Sequence, residues 1–418
     1  MPLNDLPALT PANLRDVIPA IEQEFARHKT LDIPRRASGL YAASSRPAAT
    51  DASGYQHAWV RDTMMVAYSQ WHGGEAASAL ATVRSVQACL RTQLARMTAI
   101  IDHPALKERV QERPHVRFVA DTGAEVGGSW AHAQNDALGY AMWMRLRLAD
   151  VEALDSTECE TVDVLAQYCG AIEYWSDQDS GAWEEARKVN ASSIGAVVAA
   201  LTLLRDYRRS AGTFGGVNDR DLDRWIASGR AALAKSLPFE SPPARRTDAA
   251  LLFLIHPLSV VEDRRTEDMM LSLVRARLVG EVGIRRYVGD SYFCQDYDEW
   301  FPPAERTMDF SSQVGLRDEL LRPGCEAQWC LFDPILSSIY AARFRRDPRR
   351  TDLLRAQLRH FSRALEQLTS DGQAPELYYL KGDTWIPNEH VPLAWTQANL
   401  AVALRALKQS AEVLRSAA

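Results

Sequence analysis

Two adjacent carboxylates, Glu184 and Glu185, stand directly behind Trp183 and after a turn marked by Ser180 and Gly181, just ahead of a segment that reads as a helix from about Asn190. A carboxyl pressed against an apolar wall is disfavoured in its charged form, and a like charge next door disfavours it further, so one of the pair can stay protonated near neutral pH. A general acid needs that property. The competing reading is two solvated acids in a loop, the commoner fate of adjacent carboxylates. A third acid, Glu376, follows Pro375 and leads Leu-Tyr-Tyr in a loop and short-strand context, far away in sequence.

Three further stretches carry polar groups in unusual company. YQHAWVRD sets Tyr55, Trp59, Arg61 and Asp62 at the mouth of a helix. An Arg-Asp pair there reads either as a cap with a surface ion pair or as a fixed polar fork beside stacking faces, the arrangement that sugar sites use. GSWAHAQNDALGY sets Trp130, His132, Gln134, Asn135 and Asp136 at the start of an otherwise apolar helix, where so many hydrogen-bonding side chains are expected to line a polar cavity. GIRRYVGDSYFCQDYDEWF, residues 283–301, breaks the helical pattern with Arg286, Asp290, Tyr292 and Trp300, and long aromatic loops tend to be functional.

The elements that must position these groups are helices. Apolar residues recur at helical spacing over 11–28, from Trp59 to Gly73, and over 75–95, 156–174, 190–209, 217–236, 246–255, 262–279, 325–346, 350–369 and 391–414. Strand signal is sparse, and no low-complexity linker divides the chain. About a dozen helices without a sheet predict an all-α fold, and six helical hairpins can close into an α/α toroid. Residues 1–54 are expected to form a helix and loop packed on a barrel of residues 55–418, in one domain overall.

Composition narrows the chemistry. Across 418 residues, 46% hydrophobic and 24% charged content excludes a disordered chain, and a formal net charge of -6 argues against nucleic acid or an anionic membrane as partner. The first residues lack a basic segment followed by an apolar one, and no run of about 18 apolar residues occurs, so a cytoplasmic location is expected. The six cysteines have no CxxC spacing, and the histidines show no H-E-x-x-H pattern, so neither a metal nor another cofactor is expected. No G-x-x-x-x-G-K-S/T run supports phosphoryl transfer.

Five stretches in order, YQHAWVRD (55–62), GSWAHAQNDALGY (128–140), DSGAWEE with NASSIGA (179–196), RRYVGDSY (285–292) and PELYY with PLAWTQA (375–398), resemble glycoside hydrolase family 15, the glucoamylase family, and its relatives the phosphorylase kinase regulatory subunits alpha and beta. The resemblance implies an (α/α)6 barrel whose loops at one end form a pocket for the non-reducing end of a glucan. It implies Glu184 as general acid, Glu376 as general base and Glu185 as a neighbouring sugar-binding acid. Arg61, Asp62 and Arg286 would bind sugar hydroxyls, Trp59, Trp130 and Trp183 would line the pocket, and Tyr55 would help place the attacking water. Gln134 and Asp136 join them as candidate substrate contacts on the polar cavity inferred above.

An inverting glycosidase needs one protonated carboxyl for the leaving oxygen and one ionised carboxylate for water on the opposite face, about 6.5–9.5 Å apart. The expected activity is exo-acting, inverting hydrolysis of short α-1,4- or α-1,6-linked gluco-oligosaccharides. A non-catalytic carbohydrate-binding or regulatory protein, and a trehalose hydrolase on the same scaffold, stand as alternatives.

Overall fold

The computed structural model describes residues 7–45, 53–128, 130, 132–312 and 314–417. Part of the expected N-terminal loop, 46–52, lies outside the described residues, as do Ser129 and Ala131 of the second motif. The helices are α1 (Leu14–His28), α2 (Val60–Gly73), α3 (Ala76–Arg91), α4 (Leu94–Asp102), α5 (Asn135–Arg147), α6 (Ser156–Ala171), α7 (Ala191–Ala211), α8 (Asp219–Ser236), α9 (Leu252–Ile255), α10 (Arg264–Arg277), α11 (Tyr297–Trp300), α12 (Val314–Asp318), α13 (Phe332–Arg346), α14 (Thr351–Glu366) and α15 (Ala394–Ala417). The strands are β1 (Ala58–Trp59), β2 (Arg117–Phe118), β3 (Gln328–Trp329), β4 (Leu377–Lys381) and β5 (Thr384–Pro387).

These helices form an (α/α)6 barrel. An inner ring closes through α2, α5, α7, the short α9, α13 and α15, with α15 returning to α2. Each inner helix carries an outer partner: α3 on α2, α6 on α5, α8 on α7, α10 on α9, α14 on α13 and α1 on α15. Sequence explains the two layers. Residues 135–146 of α5 are buried all round, as an inner helix flanked on every side must be. Outer α14 buries only Leu353, Leu354, Gln357, Leu358, His360, Phe361 and Ala364, a stripe at three- and four-residue spacing. Gly139 lets α5 meet α7, because a Cβ there would lie 2.8 Å from the Ala196 carbonyl carbon and 2.9 Å from the Val197 nitrogen. A methyl at that point forces the helices apart, which typically costs about 1–3 kcal/mol.

Two departures from the periodicity reading have local causes. The expected helix over 246–255 is a 3-10 turn (Ala249–Leu251) running into α9, because Asp248 accepts from the Ala250 nitrogen and so caps the turn there, while extended His256 before Pro257 ends it. The expected helix over 325–346 begins only at Phe332. Its first residues instead form β3, which pairs antiparallel with β4, Gln328 opposite Tyr378 and Trp329 opposite Leu377, while β4 turns back into β5. This small sheet carries Trp329 and Glu376 to the same end of the barrel.

The consequence for function is positional. Arg61 and Asp62 open α2, Trp130 precedes α5, Glu184 precedes α7, Trp329 precedes α13, and Trp395 opens α15. The starts of the inner helices thus converge on one mouth.

Candidate active site

One cavity at that mouth is walled by Tyr55, Trp59, Arg61, Asp62, Trp130, Trp183, Glu184, Arg286, Tyr292 and Glu376, together with Ala43, Ala182, Leu393, Trp329, Trp395, Arg317 and residues 307–310. The sequence-distant acids Glu184 and Glu376 therefore line one cavity, together with Arg61, Asp62 and several aromatic rings.

Glu184 sits just past a 3-10 turn (Gly181–Trp183) and takes the left-handed backbone conformation, φ 57° and ψ 41°. Gly181, at φ +62°, leaves room for the Asn190 amide, which would lie 2.8 Å from a Cβ. This local geometry parts the two neighbouring acids. Glu184 faces Arg61 Nη1 at 3.8 Å. Burial raises its pKa, opposed by Arg61 and Arg117 and reinforced by Asp136 and Asp309. Glu185, 2% exposed, points the other way into a cage: it accepts from Arg245 Nη2 at 2.8 Å, Arg286 Nη2 at 3.1 Å, Arg317 Nη2 at 2.8 Å and the Tyr287 hydroxyl at 2.7 Å. Burial alone would raise its pKa, but those guanidiniums and the phenol hold it well below the usual carboxylate range. Mutual repulsion of the pair is thus not what lifts Glu184; desolvation is.

Two donors hold Glu376, and a histidine nitrogen stands beside them. The Tyr55 hydroxyl donates to Oε1 at 2.6 Å, while Asn388 Nδ2 donates to Oε2 at 2.6 Å and His390 Nδ1 lies 2.8 Å from Oε2. Burial and the Glu376 charge push the Tyr55 phenol far above its ordinary pKa, so it remains a donor. Its oxygen lies 3.2 Å from the Tyr292 hydroxyl. Burial likewise lifts the Asp62 carboxyl to about 7, against the pull of Arg61 and with the help of Glu184 and Glu376.

Gln134, Asp136 and Glu185, read from sequence as substrate contacts, stand behind this wall. Arg61 donates from Nε to Asp136 at 2.6 Å and from Nη2 to Gln134 at 2.9 Å, so these two buried side chains fix the guanidinium that faces the cavity. The expected polar cavity at the α5 start is instead a packed network. Asn135 Nδ2 donates to Asp177 at 2.9 Å, Asp177 receives a bidentate pair from Arg113, and His132 Nδ1 meets the Arg113 carbonyl at 3.1 Å. Arg286 reaches the wall as expected, gripped by Asp290 at 2.6 Å. Trp300 of the same loop is 56% exposed and off the wall.

Sequence reasoning missed Trp329, Trp395, Asp309 and Arg317. Trp329 and Trp395 were hidden in stretches read as ordinary buried helix, although Trp395 falls within PLAWTQA. Asp309 and Arg317 lie in the unpatterned gap between residues 302 and 324, whose length was the available signal.

The chain is similar to known proteins in sequence and in fold. Residues 25–218 match the sequence model of glycosyl hydrolases family 15. The match carries Arg61, Asp62, Glu184 and Glu185 and stops short of Glu376. A glycosidase solved in complex with glucose superposes with a TM-score of 0.68 at 19% identity, covering 95% of this chain and 98% of that one. A bacterial glucoamylase complexed with acarbose gives 0.63 at 14% identity, covering 95% of this chain and 56% of that one. The Saccharomycopsis fibuligera glucoamylase gives 0.60 at 13% identity, covering 96% and 97%. At these identities the likeness to solved structures shows the barrel fold.

Sequence relatives point elsewhere as well. A probable phosphorylase b kinase regulatory subunit alpha of Caenorhabditis elegans is 29% identical over 270 residues, 56% of this chain. The liver isoform of the alpha subunit from Takifugu rubripes is 26% identical over 282 residues, 59% of this chain. The chain spans about a fifth of the length of these curated relatives, 21% and 22%.

Among the described residues no group of three or more His, Cys, Asp or Glu side chains is placed to hold a metal ion, and no helix is long and apolar enough to cross a membrane.

Proposed function

We propose that the chain is an exo-acting, inverting α-glucoside hydrolase that releases β-glucose from the non-reducing ends of α-1,4- or α-1,6-linked gluco-oligosaccharides. The observation that carries this reading is the single cavity lined by both Glu184, its pKa raised by burial, and Glu376, anchored by Tyr55. Glu184 gives its proton to the glycosidic oxygen as the bond to the anomeric carbon breaks. Glu376 takes a proton from water as the new carbon–oxygen bond forms on the opposite face. Arg61 and Asp62 hold hydroxyls of the terminal glucose, Trp59 and Trp130 supply stacking faces, and Arg286 binds sugar from the side where Glu185 neutralises it. Gln134, Asp136 and Glu185 then serve by positioning arginines.

The regulatory-subunit relatives favour a second reading, a protein that binds carbohydrate without cleaving it. A single screen separates the two: glucose release from maltose, isomaltose, trehalose and longer glucans, beside equilibrium binding of the same sugars. Release from maltose- or isomaltose-type sugars supports the first reading, and release confined to trehalose moves the linkage to α,α-1,1. Binding without release of glucose from any of them would establish the second.

A further inference from the structure

The third polar contact of Glu376 comes from a residue that the proposed mechanism does not use. His390 is 2% exposed and lies face to face with Tyr55, ring centroids 3.5 Å apart and planes within 5°. Its Nδ1 is 2.8 Å from Oε2 of Glu376, and its Nε2 is buried without a partner. Asn388 Nδ2 reaches the same Oε2 at 2.6 Å.

A carboxylate oxygen offers two lone pairs, and an ionised carboxylate only accepts. With Glu376 ionised, the 2.8 Å approach of Nδ1 to Oε2 is a hydrogen bond when Nδ1 carries the hydrogen, the Asn388 amide standing 3.1 Å from the same Nδ1; Oε2 is then saturated by His390 and Asn388 together. Oε1 receives one donor, Tyr55, and keeps one lone pair. The carboxylate then has a single vacancy of fixed direction, on the oxygen beside Tyr55.

We propose that His390 is a positioning residue: its Nδ1–H pins Oε2 of Glu376, so that Oε1 alone is presented to the attacking water. The proposal rests on Glu376 as general base, and it singles out a buried histidine that does not line the cavity. The role belongs to the donor at Nδ1, because the ring's stacking on Tyr55 needs no hydrogen. The two contributions can be separated. His390→Phe keeps the stack and deletes the donor, whereas His390→Asn places an amide N–H near the Nδ1 position and deletes the ring.

Misplacing a reacting group by about 1 Å can cost about 100-fold in rate. His390→Phe is accordingly expected to lower kcat about 10- to 100-fold with KM changed less than about threefold, and His390→Asn to recover most of that loss. Equal impairment of both variants, or of neither, would overturn the proposal. A second readout does not depend on turnover. Long-range 1H–15N correlation spectra of protein labelled at histidine, with His390 assigned by loss of its signals in His390→Asn, are expected to show hydrogen on Nδ1. A bare Nδ1 with hydrogen only on Nε2 overturns the proposal whether or not the chain hydrolyses sugar. Hydrogen on Nδ1 in a wild-type protein that releases no glucose would leave the pinning intact and remove the hydrolase reading instead.

Discussion

The hydroxyl of Tyr55 donates to Oε1 of Glu376 over 2.6 Å, joining residues 321 positions apart in the chain. Hydrogen bonds to charged groups contribute about 1.5–3 kcal/mol. Tyr55→Phe keeps the ring stacked on His390 and loses that bond. We expect kcat to fall about 10-fold or more, since 1.4 kcal/mol is a factor of ten, with KM nearly unchanged. A loss confined to KM in steady-state kinetics would place Tyr55 in sugar binding instead.

Glu184→Gln preserves side-chain shape and removes the proton donor. Loss of a general acid costs about 10²- to 10⁴-fold, and less where the leaving group needs no proton. The variant should therefore lose far more activity on maltose or isomaltose than on an aryl α-glucoside with a good leaving group. Equal losses on both would leave Glu184 as a sugar-binding group only.

Arg61 and Asp136 form an ion pair whose side chains are 3% and 2% exposed. Removing one partner of a buried pair strands the other charge, at about 3–5 kcal/mol. Asp136→Ala should destabilise the fold by that amount in urea unfolding. A loss below about 1 kcal/mol would show that Arg61 finds other compensation, and Asp136 would lose its positioning role.

Buried titrating groups set a pH window for stability. His72, His115 and His256 are pushed by burial to about 4, 3 and 3, so the stability gained by burying them neutral is present above the unfolded value near 6.5 and lost as pH falls. Asp62 and Asp179 are raised by burial to about 7, and Glu240 is raised by burial beside Asp248. These carboxyls bind protons more tightly folded than unfolded, so their contribution is full below about pH 4 and lost as pH rises through 7. From about pH 4 to 6.5 the two sets oppose each other. Above 6.5 the histidine contribution levels off while the carboxyls go on losing protons, so Tm should fall between pH 6.5 and 8, and Asp179→Asn should flatten that fall. A Tm that rises over this interval would contradict the assignment.

The helical fold was legible because apolar residues recur at helical spacing along most of the chain, whereas the two layers show in burial: residues 135–146 of α5 are buried all round, polar ones included, and α14 is buried along one stripe. The motifs at the starts of the inner helices were legible for a related reason, since Arg61, Glu184 and Glu376 sit where polar side chains interrupt an apolar pattern. Periodicity does not encode which way a side chain turns once it reaches the mouth. Gln134 and Asp136 turn back to Arg61, and Glu185 turns away from Glu184 because one residue takes a left-handed conformation. Trp329 escaped notice because two residues of strand pairing with Tyr378 and Leu377 replaced the helix that local pattern suggested.

The central claim is that Glu376 deprotonates water and never bonds to the anomeric carbon. Proton NMR of the anomeric signals, recorded immediately after mixing the protein with maltose or isomaltose, tests it most directly. The account predicts that β-glucose appears first and α-glucose only later, by mutarotation. Initial release of α-glucose would mean a double displacement through a glycosyl-enzyme, and would contradict the role assigned here to Glu376.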